Sequence, residues 1–387
     1  MQPVALDKKN LQKFVAALLK LGKVRGPVLD GHTGEAVLDD LTPESPLFLD
    51  YANFKLPPKR EFFPQCEAIG RFGADGLSPE PLIRERVTYF GLRPCDAKSL
   101  RYLDTIFTDA QFTDPWYHAR RNDAVIVALA CDSPAETCFC SSVNGDPASA
   151  DGADVIACNL DDALVFEPVT GKGEEFLKAL LSCHPLPNLI PPSEAGFSPA
   201  LDPLNKGGAE GGGSEGKFSN PSTYRGSNFL NENSSFLREP TAAELQKKTS
   251  QAAAHTAPTG IPAEGVPAAL RKNFTSPLWD SVTETCLGCG VCTWLCPTCH
   301  CFDLYDEQDA ARKIRVHDSC MFASFTREAS GHNPRAKRGE RMRQRVMHKF
   351  LYAPDNYGET FCVGCGRCVA HCPTNIDIRE TVAKAAL

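Results

Sequence analysis

Eight cysteines fall into two strings of identical spacing. The first is Cys286-x2-Cys289-x2-Cys292-x3-Cys296-Pro297, the second Cys362-x2-Cys365-x2-Cys368-x3-Cys372-Pro373. This spacing is the run used by two-cluster ferredoxins, in which three thiolates grip one [4Fe–4S] cubane. The fourth cysteine, followed by proline, reaches the other cluster. The strings therefore assign Cys286, Cys289, Cys292 and Cys372 to one [4Fe–4S] cluster, and Cys362, Cys365, Cys368 and Cys296 to a second. Gly288, Gly290, Gly364 and Gly366 would let the backbone turn tightly and aim N–H groups at sulfide. A single C-x-x-C unit also fits zinc, but zinc sites favour paired units over a triple followed by Cys-Pro. Eight thiolate ligands leave no open coordination position, so this chemistry is electron transfer.

A second group is less regular. Cys95 and Cys131 each follow an apolar strand-like run, and Cys138-Phe139-Cys140 lies seven residues beyond Cys131. Strand ends of an α/β sheet line the crevice where ligands bind. Cys95, Cys131, Cys138 and Cys140 could thus hold a third cluster, or be buried or redox-active thiols. Cys299, Cys301 and Cys320 read as buried thiols, with replacement ligation an unneeded alternative. Cys66, Cys158 and Cys183 read as core or surface thiols.

These groups need elements to position them. The chain has 387 residues, 18 cysteines and a net charge of −7. That charge gives no reason to expect nucleic acid, and no run of about eighteen apolar residues suggests a membrane span. No signal peptide is evident, so the thiols point to metal in a cytoplasmic protein. Residues 1–197 predict an α/β domain. Leu11, Phe14, Val15, Leu18 and Leu19 mark an amphipathic helix that packs on its own domain. Asp30-Gly31 marks a hairpin within 24–41, and Asp161-Asp162 another within 154–167. Residues 86–91 and 124–130 predict strands, a helix follows from Asp96, and Phe176, Leu177, Leu180 and Leu181 mark another.

Residues 198–270 are rich in Gly, Ser, Asn, Pro, Ala and Thr and predict a linker, strap or insertion. Phe218, Tyr224, Phe229, Leu230 and Phe236 within it are loop aromatics or anchors. Residues 271–387 predict an α-helical ferredoxin-like dicluster domain, with helices filling the gap between Cys296 and Cys362. The cations of 335–349 (Arg335, Lys337, Arg338, Arg341, Arg343, Arg345 and Lys349) could form a solvated face or bind nucleic acid. The preferred reading is that they compensate cluster charge or dock an acidic partner.

Several segments together resemble the anaerobic sulfite reductase A-subunit / sulfhydrogenase beta-subunit family. They are Gly91-Leu-Arg-Pro-Cys-Asp-Ala, Ala130-Cys-Asp-Ser-Pro-Ala-Glu-Thr-Cys-Phe-Cys, Cys296-Pro-Thr-Cys-His-Cys-Phe-Asp, Asp318-Ser-Cys, Gly331-His-Asn-Pro-Arg, Arg343-Gln-Arg-Val-Met-His-Lys and the second string. Related subunits occur in flavin oxidoreductases coupled to heterodisulfide reductase. The resemblance spans nearly all the chain outside 198–270. It implies an iron–sulfur subunit that relays electrons between a flavin, NAD(P)H-oxidising partner and a catalytic subunit of sulfite reductase, hydrogenase or heterodisulfide reductase type. Such a subunit is not catalytic alone. The alternative is a self-contained iron–sulfur oxidoreductase with a flavin or substrate site in the N-terminal domain, weakened by the lack of a Gly-x-Gly-x-x-Gly after a strand. A third reading is a scaffold whose clusters only hold the fold.

Overall fold

The computed structural model describes residues 1–109, 111–182, 236–254, 260–262 and 264–387. Twelve strands are described: β1 (Val4–Asp7), β2 (Lys23–Leu29), β3 (Ala36–Asp40), β4 (Cys66–Gly73), β5 (Gly76–Pro79), β6 (Val87–Leu92), β7 (Ala124–Leu129), β8 (Val155–Asn159), β9 (Ala163–Pro168), β10 (Leu237–Arg238), β11 (Phe302–Glu307) and β12 (Arg312–His317). Eight form one mixed sheet in the order β10-β1-β9-β8-β7-β6-β2-β3. Its centre, β2-β6-β7-β8, is parallel and its flanks antiparallel. Every residue of β6 and β7 is buried. That is what a parallel strand covered on both faces requires, and it explains their unbroken apolar runs.

Helix α1 (Leu11–Lys20) lays Phe14, Val15 and Leu18 on this sheet, with Leu11 and Leu19 at the edge of the core. Helix α2 (Pro94–Phe107) starts at the end of β6 with proline in its first turn, where no N–H partner is needed. Helices α3 (Pro115–Asp123) and α4 (Gly171–Ser182) complete the N-terminal α/β region.

The described part of the segment expected to be a linker forms regular elements. Leu237 pairs with Leu6 and Arg238 with Ala5, so β10 closes the sheet edge. Phe236 and Leu237 are buried. Arg238 bridges Asp7 and Glu244 at 2.8 and 2.6 Å. Thr241 and Glu244 exchange hydrogen bonds at the start of helix α5 (Ala242–Ala254), a capping box written as Thr-x-x-Glu. Helix α6 (Val266–Lys272) buries Val266 and Leu270. Residues 198–235, 255–259 and 263 of the expected linker, with Phe218, Tyr224, Phe229 and Leu230, lie outside the described residues, as does Cys183.

The gap between the cysteine strings also differs from expectation. It begins with a hairpin, β11–β12, rather than a helix. β12 pairs with β4, aligning Val316 with Cys66 and Ile314 with Ala68, to make a second sheet β11-β12-β4-β5. A buried ion network fixes this long-range pairing. Arg315 binds both Glu67 and Asp114, and Arg120 binds Glu67 at 2.6 Å. Helix α7 (Arg338–Met347) follows, runs into a π-turn over His348–Tyr352, and helix α8 (Ile378–Ala385) ends the chain. Among the described residues no helix is long and apolar enough to cross a membrane.

Candidate metal centres

The twelve cysteines singled out by spacing and strand position gather into three cavities. Cys286, Cys289, Cys292 and Cys372 line the first, with Met321, Met342, Arg345, Cys368 and Ile378 around them. Cys296, Cys362, Cys365 and Cys368 line the second, with Phe139, Arg345, Lys349 and Ile378. Cys95, Cys131, Cys138 and Cys140 line the third, with Asn53, Arg93, Gly364 and Cys365. Each string thus sends its fourth cysteine to the cavity of the other. Neighbouring cavities share walls: Arg345 and Cys368 between the first and second, Gly364 and Cys365 between the second and third.

Local structure explains the placement. In the second string, Gly364 and Gly366 take φ of +62° and +73°. A Cβ on Gly364 would stand 2.4 Å from the Cys140 backbone nitrogen, and one on Gly366 2.5 Å from the Thr137 carbonyl oxygen. Only glycine allows the 137–140 loop to seat against this string. Phe139 N–H donates to Gly364 O at 2.7 Å, and Asn53 Nδ2 donates to Cys365 O at 2.9 Å. In the third cavity, Cys95 sits in the first turn of α2 and Cys131 just beyond β7. Arg93 ties these neighbouring strand ends together. It is fully buried, donates to Ala130 O at 2.7 Å and to Tyr51 O, and lies 4.1 Å from the Tyr51 ring centre.

Electrostatics show what these cavities can hold. Burial pushes the Cys362 thiol up to about 12 and Cys365, Cys138 and Cys140 each to about 11. Burial likewise raises Cys95, Cys131, Cys292 and Cys368. Thiolates here need a compensating positive charge, and metal loading would supply it with release of protons. Arg345 Nε and Arg93 Nε are buried without a protein acceptor, and each side chain lines a cysteine cavity. Among the described residues, no group of three His, Cys, Asp or Glu side chains converges as one ion would require. A cubane bound at its four corners does not require that convergence, and the all-thiolate donor set fits it.

The basic stretch divides. Arg345 and Lys349 are buried against the second cavity. Burial pulls Lys349 down, but Cys296, Cys299 and Cys362 outweigh it and hold the ammonium above its ordinary range. Lys349 Nζ donates to Thr298 Oγ1 at 2.8 Å. Arg341 plays a different part. It donates to the backbone carbonyls of Met321, Arg335 and Ala336 and shapes the 321–336 loop. Arg343 stacks 4.1 Å from the Phe274 ring centre, and Lys337 and Arg338 are exposed.

Several site residues carried no spacing signal. Lys59 reaches in from the N-terminal region and donates to Cys299 O at 2.9 Å. Arg367, inside the second string, forms a bidentate pair with Asp96 at 2.8 and 2.9 Å, both side chains fully buried. This pair stands beside Cys365 and Cys95. A charge next to a cavity-lining cysteine, as in Gly-Arg-Cys or Cys-Asp, was the available clue. Of the remaining thiols, Cys299 hydrogen-bonds Cys296 and holds it well below its ordinary range, Cys320 and Cys158 are buried, and Cys66 is exposed.

Residues 285–376 match the family described as a 4Fe-4S dicluster domain. The chain is 28% identical over 382 residues to the sulfhydrogenase 2 subunit beta of Pyrococcus furiosus, covering 97% of this chain and 96% of that protein. No solved structure matches the chain. Residues 285–376 thus resemble a 4Fe-4S dicluster domain, and nearly the whole chain is similar to a sulfhydrogenase beta subunit, in keeping with the family its motifs resemble.

Proposed function

We propose that this chain is an electron-relay subunit carrying three [4Fe–4S] clusters in series. Cys286, Cys289, Cys292 and Cys372 hold the first, Cys296, Cys362, Cys365 and Cys368 the second, and Cys95, Cys131, Cys138 and Cys140 the third. A bound [4Fe–4S] cluster takes up and passes on single electrons. The observation that carries the reading is the sharing of cavity walls, which puts each cysteine set next to the following one. Phe139 and Ile378 keep water from the second cavity, while Arg345 and Lys349 offset thiolate charge and favour the reduced state. Cys289 is exposed and gives the series a terminus at the surface.

In this reading the C-terminal block serves as an α-helical ferredoxin-like module. The chain connects a flavin, NAD(P)H-oxidising subunit to a catalytic redox subunit of sulfite reductase, hydrogenase or heterodisulfide reductase type, in the cytoplasm. The name of the Pyrococcus relative supports a subunit role. An anaerobic EPR redox titration of the purified chain tests it. The expected result is reversible low-potential signals broadened by coupling between neighbouring clusters. A colourless zinc protein, or signals that resist reduction, would overturn it.

A further inference from the structure

Cys301 and Cys320 line none of the three cavities, yet their side chains meet. Cys301 immediately precedes β11 and Cys320 follows β12 by three residues, so the hairpin brings them together. Phe302 pairs with His317, and Asp318 N–H donates to Cys301 O at 2.9 Å, which extends the ladder by one step. The Cys301 sulfur accepts from both the thiol and the backbone N–H of Cys320. Cys301 is half-buried, whereas Cys320 lies behind it at 9% exposure. Two hydrogen-bonded thiols, one reachable and one enclosed, form an attacking and resolving pair.

We infer that Cys301 and Cys320 are a redox-active dithiol that closes to an intrachain disulfide in exchange with low-molecular-weight disulfides. The Cys301 thiolate attacks one sulfur of the small disulfide, expels one thiolate and forms a mixed disulfide. The Cys320 sulfur then attacks the Cys301 sulfur and expels the second thiolate. The protein thiols lose two electrons, the small disulfide gains them, and the two thiol protons end on the released thiols. The hydrogen bonds from Cys320 favour the first step by holding Cys301 below its ordinary thiol range. The bridge would pin the hairpin to the loop carrying Met321, which lines the first cavity. The oxidation state of the pair would thereby be sensed at that cavity.

The test uses the full chain, purified anaerobically with its iron, and a series of oxidised glutathione concentrations. Free thiols are then alkylated, the peptides mapped and iron measured. The expected outcome is a peptide cross-linked through Cys301 and Cys320, both lost from the alkylatable pool, with iron unchanged. Cys320→Ala is expected to trap glutathione on Cys301. Should that variant fail to fold, the wild-type cross-link alone decides. Alkylation of both thiols across the whole series would overturn the inference. So would loss of iron in Cys301→Ala, which would make the thiol a cluster ligand. The relay reading is judged separately, by the redox titration.

Discussion

The first and second cysteine strings carry the same spacing in different surroundings. In the first, Cys289 is exposed and Leu287 is 63% exposed, so its cavity meets solvent. In the second, Cys362 and Cys365 are buried, Lys349 faces the sulfurs, and the 137–140 loop lies across the glycines. Spacing fixes how four thiolates can be presented; the elements packed around them fix their dielectric, their counter-charges and what can reach them. The surface string suits exchange with a partner, and the interior string suits passage through the chain.

The strongest way to break this comparison is to exploit the crossed fourth cysteines. Cys296 belongs to the first string but lines the interior cavity. Cys296→Ala is expected to remove roughly four irons and the interior EPR signal while sparing the surface cluster. Cys372→Ala is expected to do the reverse. Iron analysis and EPR of both variants check this, and loss of the surface signal in Cys296→Ala would refute the crossing.

Next in size is the buried pair at the interior string. Asp96→Asn leaves the Arg367 guanidinium buried without its counter-charge, and should cost about 3–5 kcal/mol in urea unfolding. At the surface string, exposed Glu284→Gln should stay within about 0.5 kcal/mol. Equal effects would erase the difference in environment.

A milder test reads potentials. Lys349→Met is expected to lower the interior cluster's midpoint and move the surface cluster less, because Lys349 lines only the second cavity of the two. An EPR-monitored titration distinguishes the clusters; equal shifts would assign Lys349 a general structural role.

The smallest effect concerns pH. His300 and His348, packed 5.4 Å apart beside the interior site, are both depressed to about 4 from 6.5, in each case mainly by burial. The unfolded chain therefore binds more protons between those values. Their contribution to stability is complete above about pH 6.5 and is lost as pH falls to about 4. His348→Gln should flatten the fall of the urea midpoint over that interval, and an unchanged slope would contradict it.

What was legible in the sequence follows the range of the interactions involved. The strings are local: their ligands, glycines and prolines lie within a dozen residues, so spacing alone describes them. β6 and β7 are legible because burial on both faces leaves unbroken apolar runs. The third cysteine set was half legible. Strand ends marked Cys95 and Cys131, but the seating of Gly364 and Gly366 against the 137–140 loop joins residues more than 220 positions apart. The pairing of β12 with β4 is equally remote and rests on Arg315 meeting Glu67, a contact no local pattern reveals. The basic stretch is uniform in composition but divides in place: Arg345 and Lys349 line the interior cavity, as charge compensation requires, while Arg341 binds a backbone loop.

A third station joined to the crossed pair is tested most directly by iron and acid-labile sulfide per chain in the wild type and in Cys138→Ala. The wild type should carry about twelve irons and the variant about eight, with the two C-terminal clusters' EPR signals retained. About eight irons in both would contradict the third station.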